Sequence, residues 1–160
     1  MPAANSHDHV KIICKNRKAH FNYEIDETME AGISLLGSEV KSLRNGKANL
    51  SDSYGKFKQG ELYLVEAHIS PYDQSNRENH DPLRERKLLL HRNELKKLQG
   101  KVAERGYSLI PLKLYFRNGK VKAELALARG KKTYDKREAI KKKDQRRELE
   151  RLVKFRQRSS

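Results

Sequence analysis

Residues able to carry catalysis are few in this sequence and poorly spaced for it. The six histidines are His7, His9, His20, His68, His80 and His91. His7 and His9 are close enough to chelate a metal weakly, but in the polar N-terminal arm they read as solvated side chains. His80-Asp81 and His91 flank a basic loop, an arrangement that invites a nuclease reading, yet no second carboxylate cluster stands at metal-ligand spacing. Cys14 follows Ile12-Ile13 and reads as a small core residue. Glu61 and Glu66 read as ordinary surface acids, and no glycine-rich phosphate loop is followed by Lys-Ser/Thr. The expectation is a protein that is not an enzyme and needs neither cofactor nor metal.

Cations interleaved with aromatic and apolar residues form the stronger pattern. Lys15-Asn16-Arg17-Lys18 leads into His20 and Phe21; Arg77, Arg84, Arg86 and Lys87 crowd one loop ahead of Leu88-Leu89-Leu90; Lys131-Lys132-Thr133-Tyr134 opens the C-terminal segment. Lys and Arg anchor phosphates, and Tyr or Phe stacks on exposed bases, which is how RNA with unpaired loops is gripped. Each cluster alone would fit a solvated face. Three of them in a 160-residue chain with a net charge of +15 point to nucleic acid, with RNA favoured.

The charge is unevenly spread. Residues 130–160 hold thirteen Lys/Arg against five Asp/Glu, whereas residues 1–129 hold 23 against 16. The tail is poor in large apolar residues but has no Gly or Pro beyond Gly130, and Glu138/Lys142 and Glu150/Lys154 are favourable i,i+4 pairs. It is expected to be disordered alone and helical when something negative holds it. The divisions expected are a flexible arm at 1–9, an RNA-binding domain at 10–129 and a basic tail at 130–160. No apolar run is long enough to span a membrane, the first residues do not form a secretory signal, and one cysteine excludes an internal disulfide. A cytoplasmic, reducing environment is expected.

Antiparallel strands must position these groups. Asn118-Gly119 is a type I′ turn signal that pairs Phe116 with Val121, Leu114 with Ala123, Leu112 with Leu125 and Ile110 with Leu127 on one apolar face. Tyr115 and Lys122, and Lys113 and Glu124, pair on the wet face, which also carries Pro111, a sign of an edge or bulge. A second hairpin runs from Ser53 to Ile69 about Lys58-Gln59-Gly60, its return strand central in the sheet. Phe21 to Leu36 reads as a strand region broken near Glu30-Ala31-Gly32, and Val10 to Cys14 as a short strand. Helices are expected at Ser38 to Arg44, with Ser38 as N-cap, and at His91 to Arg105, stopped by Gly106. Pro71 to Arg86 reads as loop. A mainly β fold with flanking helices, a small barrel or sandwich, follows.

Several blocks carry more than composition does. Gly37-Ser38-Glu39-Val40-Lys41-Ser42-Leu43-Arg44, then Gly46-Lys47-Ala48-Asn49-Leu50 and Asp52-Ser53-Tyr54, closely resemble the SsrA-binding protein family, small protein B (SmpB). The resemblance continues through His80-Asp81-Pro82, Arg86 to His91, and Gly130-Lys131-Lys132 with Asp135-Lys136-Arg137, and covers about residues 10–155. It implies an oligonucleotide-binding-fold closed barrel and a basic tail. It also implies a partner, the tRNA-like domain of transfer-messenger RNA (tmRNA), and a role in rescuing stalled ribosomes by trans-translation, with elongation factor Tu and alanyl-tRNA synthetase as indirect partners.

By this resemblance Asn16, Glu30 and Leu89 match RNA-contact positions. Arg17, Lys18, Arg84, Arg86, Lys87, Lys131 and Lys132 supply the surrounding RNA-binding charge. Tyr134, Asp135, Lys136 and Arg137 match the part of the tail that meets the small-subunit decoding centre, beyond which the tail would follow the vacant mRNA channel. Glu39 and Lys41 are expected to hold their helix against the barrel or to touch RNA. The alternatives are a general ribosome-associated RNA-binding factor with no preference for one structured RNA, and an RNA-cleaving or RNA-modifying enzyme.

Overall fold

The Asn118-Gly119 turn organises the largest part of the sheet. In a computed structural model, which describes residues 9–72, 79–131 and 133–158 (without the side chains of residues 105, 133–136 and 139), both turn residues have positive φ, 51° and 80°. That geometry matches the twist of the flanking strands. The chain runs β1 (Val10–Lys15), α1 (Ala19–Asn22), β2 (Tyr23–Ile33), α2 (Gly37–Arg44), β3 (Ala48–Asn49), β4 (Tyr54–Lys58), β5 (Glu61–Val65), β6 (His68–Ile69), β7 (Arg86–Leu89), α3 (Arg92–Arg105), β8 (Ser108–Arg117), β9 (Lys120–Gly130) and α4 (Thr133–Arg158). Strand order is β1-β8-β4-β5-β7-β2-β9, and β9 also pairs with β8. Six strands therefore form an antiparallel ring, with β1 laid on β8, while β3 and β6 make a separate two-stranded ladder. The expected barrel is present in this ring-like form.

The β8–β9 register follows the alternation of the sequence only as far as Lys113. Phe116–Val121, Tyr115–Lys122, Leu114–Ala123 and Lys113–Glu124 pair as expected, but beyond them the partners are Pro111–Leu125, Ile110–Ala126 and Leu109–Leu127. Leu112 is the extra residue of a bulge, which shifts the side chains from Ser108 to Pro111 to the opposite face. Leu109 thus enters the main core, while Ile110 and Leu112 join a smaller apolar cluster with Ala19 and Ala128 beside α1. Pro111, read as wet, is buried.

Other departures have similar local causes. β2 is one continuous strand, not broken at Glu30-Ala31-Gly32; there it begins to pair with β7 while still bonded to β9. Phe21 belongs to α1 rather than to the strand. Leu36, not Ser38, is the N-cap of α2, and its N–H donates to Glu39 Oε1 at 2.8 Å. Ser38 instead bonds the buried His80 ring, Oγ to Nδ1 2.9 Å, and the other ring nitrogen lies 2.9 Å from the Ile69 carbonyl. A histidine held at both nitrogens is not free for the nuclease role. Cys14 is half-buried, and that burial pushes its thiol up to about 11, consistent with a packing residue.

Glu39 anchors α2 to the ring. It is fully buried and accepts from three directions: the Leu36 N–H, Arg84 (Nη2 to Oε1, 2.5 Å) and Arg86 through Nε to Oε2. Arg86 is itself fully buried and also donates to the carbonyls of Ala67 (2.7 Å) and Pro82 (3.2 Å). Burial raises the Glu39 carboxyl, but the hydrogen bonds from Arg84, Leu36 and Arg86 outweigh it and hold the group below the ordinary carboxylate range. Arg86, expected as an RNA contact, is therefore corrected to an internal residue: it lies on an inward position of β7, where only a buried carboxylate and carbonyls can satisfy it.

Removing the Glu39 charge while Arg86 stays buried should cost about 3–5 kcal/mol, measured for Glu39→Gln by urea unfolding. Because the folded carboxyl is lowered, its contribution is complete above the ordinary value of 4.5 and is lost as pH falls through the folded value. Unfolding free energy should drop in that acid range for the native chain and less steeply for the variant. Ring closure is tested at Gly55, which pairs with Leu109 in the single β4–β8 register and where a Cβ would lie 3.0 Å from Leu109 Cβ. Gly55→Val should cost roughly 1–3 kcal/mol by overpacking.

Candidate nucleic-acid interface

Sheet pairing brings Glu30 and Leu89, 59 positions apart in sequence, to one patch. Gly32 pairs with Leu89 of β7 on one side and Lys122 of β9 on the other, and Glu30 lies two residues earlier on the same outward face of β2. A Cβ on Gly32 would sit 3.2 Å from Leu89 Cβ, so the glycine gives the leucine room to lie flat over β2. Leu89 is 52% exposed. With Leu90, His91, Glu94 and Lys122 these residues line a cavity of about 390 Å³, the size of one nucleotide rather than a helix. An apolar platform, two acids (Glu30 and Glu94) and a cation around so small a space suit an unstacked nucleotide. Lys122 was not singled out as a site residue; only knowledge that β9 neighbours β2 could have found it.

The acid at the centre is held firmly. Tyr115 donates its hydroxyl to Glu30 Oε2, and Arg117 Nη1 lies 2.9 Å from the same oxygen. The Tyr115 ring is buried, with Lys113 Nζ 5.6 Å and Arg117 Cζ 5.7 Å from its centre. Burial, then the bond to Glu30, raises the phenol above its ordinary value.

The expected basic loop is largely spent on the fold. Arg84 forks onto Glu39 and reaches the Ser34 carbonyl at 3.4 Å, Arg86 is buried, and Lys87 Nζ pairs with Glu61 Oε1 at 2.9 Å. Arg84 is part-exposed and Lys87 keeps its place at the surface, whereas Arg77 lies outside the described residues. Lys41 is exposed, with its ammonium 5.5 Å from the Tyr72 ring centre.

The first cluster divides in the same way. Arg17 and Lys18 are exposed between β1 and α1. Asn16 is buried, and its amide nitrogen donates to Leu50 O (3.2 Å) and Pro111 O (3.0 Å), stapling the β3–β4 connection to the β8 bulge. Expected as an RNA contact, it is first an internal staple. Its buried Oδ1 has no hydrogen-bond partner among the described residues, and Asn16, with Lys18, Tyr23 and Tyr54, lines a cleft of about 440 Å³.

The C-terminal segment is a single helix, α4, of 26 residues, about 39 Å long at 1.5 Å per residue. The absence of Gly and Pro and the i,i+4 pairs favour this helix, the form expected of the segment when something negative holds it. The Lys131 N–H donates to Asn22 O at 2.9 Å, and α1 contacts α4. Every described side chain of α4, Arg137 included, is exposed. Lys132 and the side chains of Tyr134, Asp135 and Lys136 lie outside what the structure describes, as does His7. Among the described residues no group of His, Cys, Asp and Glu is placed to hold a metal ion, and no helix is long and apolar enough to cross a membrane.

Comparison with known proteins places these features in context. The sequence profile of the SmpB protein family matches residues 13–155. The SsrA-binding protein of Syntrophobacter fumaroxidans is 61% identical over 146 residues, covering 91% of each chain. That of Geobacillus kaustophilus is 57% identical over 147 residues, 92% of this chain and 95% of the relative. A chain from the solved structure "tmRNA-SmpB: a journey to the center of the bacterial ribosome" is 51% identical with a TM-score of 0.65, over 79% of this chain and 93% of that one.

Proposed function

The chain belongs to the SmpB protein family, and from that premise we propose that it binds transfer-messenger RNA and carries it to stalled ribosomes for trans-translation. The single observation that best supports this reading is the Glu30–Leu89 patch, where two residues matched to RNA contacts converge on a cavity of nucleotide size. The ring body recognises the tRNA-like domain through that patch, with Lys122 at its rim, while Arg17, Lys18 and Lys131 add charge at the other end of the β2–β9 ladder, where Tyr23 pairs with Gly130. A partly apolar grip of this kind depends on the shape of an unpaired nucleotide, so it separates one folded RNA from another.

The tail has a different task. Residues 130–160 carry a net +8. The helix is long enough to follow an RNA-lined tunnel, and its attraction to phosphate falls steeply with salt. Lys132 adds RNA-binding charge where body and tail join, Tyr134, Asp135, Lys136 and Arg137 enter the decoding centre of the small subunit, and the later turns occupy the empty mRNA channel. An intact message in that channel would exclude the helix, which restricts delivery to stalled ribosomes. The protein acts in the cytoplasm as an adaptor and not as an enzyme; elongation factor Tu and alanyl-tRNA synthetase meet it through the RNA. The competing reading, a general ribosome-associated factor, predicts no preference among structured RNAs.

Gel-shift binding at about 0.2 M salt, where nonspecific phosphate contacts are weakened, separates the two. The tRNA-like domain of tmRNA should bind much more tightly than an ordinary tRNA or an unrelated hairpin, and Leu89→Ala should weaken that binding roughly tenfold. Equal affinity for all three RNAs would favour the general factor. Deleting residues 132–160 should leave RNA binding intact and abolish peptide tagging in a reconstituted translation assay; loss of RNA binding on truncation would refute the division between body and tail.

A further inference from the structure

Glu30 occupies a costly position in the sheet. Its partner across the β2–β9 ladder is Glu124, so two carboxylates stand directly opposite each other. Like charges in this relation destabilise a sheet, and nothing in the packing of the core requires an acid at either place, since both side chains lie on the outer face. The surrounding cations relieve the repulsion separately: Lys113 lies 3.5 Å from Glu124 Oε2, and Arg117 2.9 Å from Glu30 Oε2. Local conflict of this kind is expected where a site, rather than the fold, selects the residue.

The arrangement of donors is asymmetric. Tyr115 and Arg117 both approach Oε2 of Glu30 from β8, reaching across β9. No hydrogen bond from another described residue reaches Oε1. Tyr115 is itself braced, since its ring is buried against Lys113 and Arg117 and its hydroxyl has one strong acceptor. One oxygen is therefore pinned while the other is left for a donor beside Leu89.

We infer that Tyr115 and Arg117 are positioning residues for RNA recognition: they fix Glu30 so that Oε1 accepts one hydrogen bond from an unstacked nucleotide seated on Leu89. The inference rests on the reading of this patch as the RNA-binding face, and it assigns a task to two residues that need not touch RNA. The shared chemistry of the ligand is a single N–H or O–H donor, either a base amine or the ribose 2′-hydroxyl. Because the phenol is raised by burial and by Glu30, it remains a donor throughout the neutral range.

The test uses the full chain and the tRNA-like domain of tmRNA in the same gel shift, with thermal melting followed by circular dichroism. Tyr115→Phe keeps the ring and removes only the hydroxyl. It should raise Kd roughly tenfold, as expected for loss of a hydrogen bond to a charged group, and leave the melting temperature within a few degrees of the native chain. Glu30→Gln should show a similar loss, and the double variant should bind no worse than the weaker single variant. Arg117→Ala should also weaken binding, with Arg117→Lys restoring most of it, because an ammonium can still reach Oε2. RNA carrying 2′-deoxy substitutions in its unpaired loops then identifies the donor: loss of affinity assigns the ribose hydroxyl, and unchanged affinity with continued Glu30 dependence assigns a base amine. Native affinity in Tyr115→Phe, or losses that multiply in the double variant, would overturn the positioning role while leaving the patch as the RNA face. Native affinity in Glu30→Gln would overturn both.

Discussion

The buried contact between Glu39 and Arg86 is the constraint on which the rest of the fold depends. It joins α2, which follows the end of β2, to β7, the strand that completes the ring between β5 and β2. Two ions taken out of water are tolerated only if nearly every lone pair and proton is used. Here the carboxylate is shared by Arg84, Arg86 and a helix-start N–H, and the guanidinium reaches carbonyls of Ala67 and Pro82. The pair therefore fixes the register of β7 and, with it, the placement of Leu89 beside Gly32. A requirement for satisfying buried charge is in this way converted into the geometry of the outer patch.

Electrostatics is used differently in the body and in the tail. In the body, several cations near the candidate interface are paired: Arg84 and Arg86 with Glu39, Lys87 with Glu61, Lys113 with Glu124, Arg117 with Glu30. Such pairs reduce the indiscriminate pull of a basic surface on phosphate and leave shape and single hydrogen bonds to discriminate. The tail has many more cations than acids, and the described side chains of α4 are exposed. Its attraction is therefore long in reach and weak in selectivity.

Several elements could be read before the structure. The Asn118-Gly119 hairpin, the Gln59-Gly60 turn, α3 with its Gly106 stop and the short strand β1 all follow from local rules, and each is present. Local rules failed where one residue or one partner changes the count. Pro111 marked an edge or bulge near the start of this strand, and a bulge is there, but nothing local shows that its extra residue, Leu112, moves Leu109, Ile110 and Pro111 out of their expected places. Gly32 seemed to break a strand because glycine is disfavoured there, but close approach of Leu89 is what requires it. The basic run around Arg86 looked like a surface cluster because a string of cations does not reveal that one of them points inward toward an acid 47 positions away.

The sequence by itself determined the antiparallel character of the body, the basic imbalance of the tail and the family blocks from Gly37 to Arg137. These depend on turn chemistry, alternation and residue identity, all of which act over short distances. The tertiary structure alone decided which cations remain available and which acids face them, because burial and pairing arise from strand order, and strand order joins residues that are remote in the chain. Glu30, Leu89, Lys122 and Tyr115 come from four different strands. They form one patch because β7, β2, β9 and β8 are successive neighbours in a closed ring, and that closure is a property of the whole core rather than of any segment.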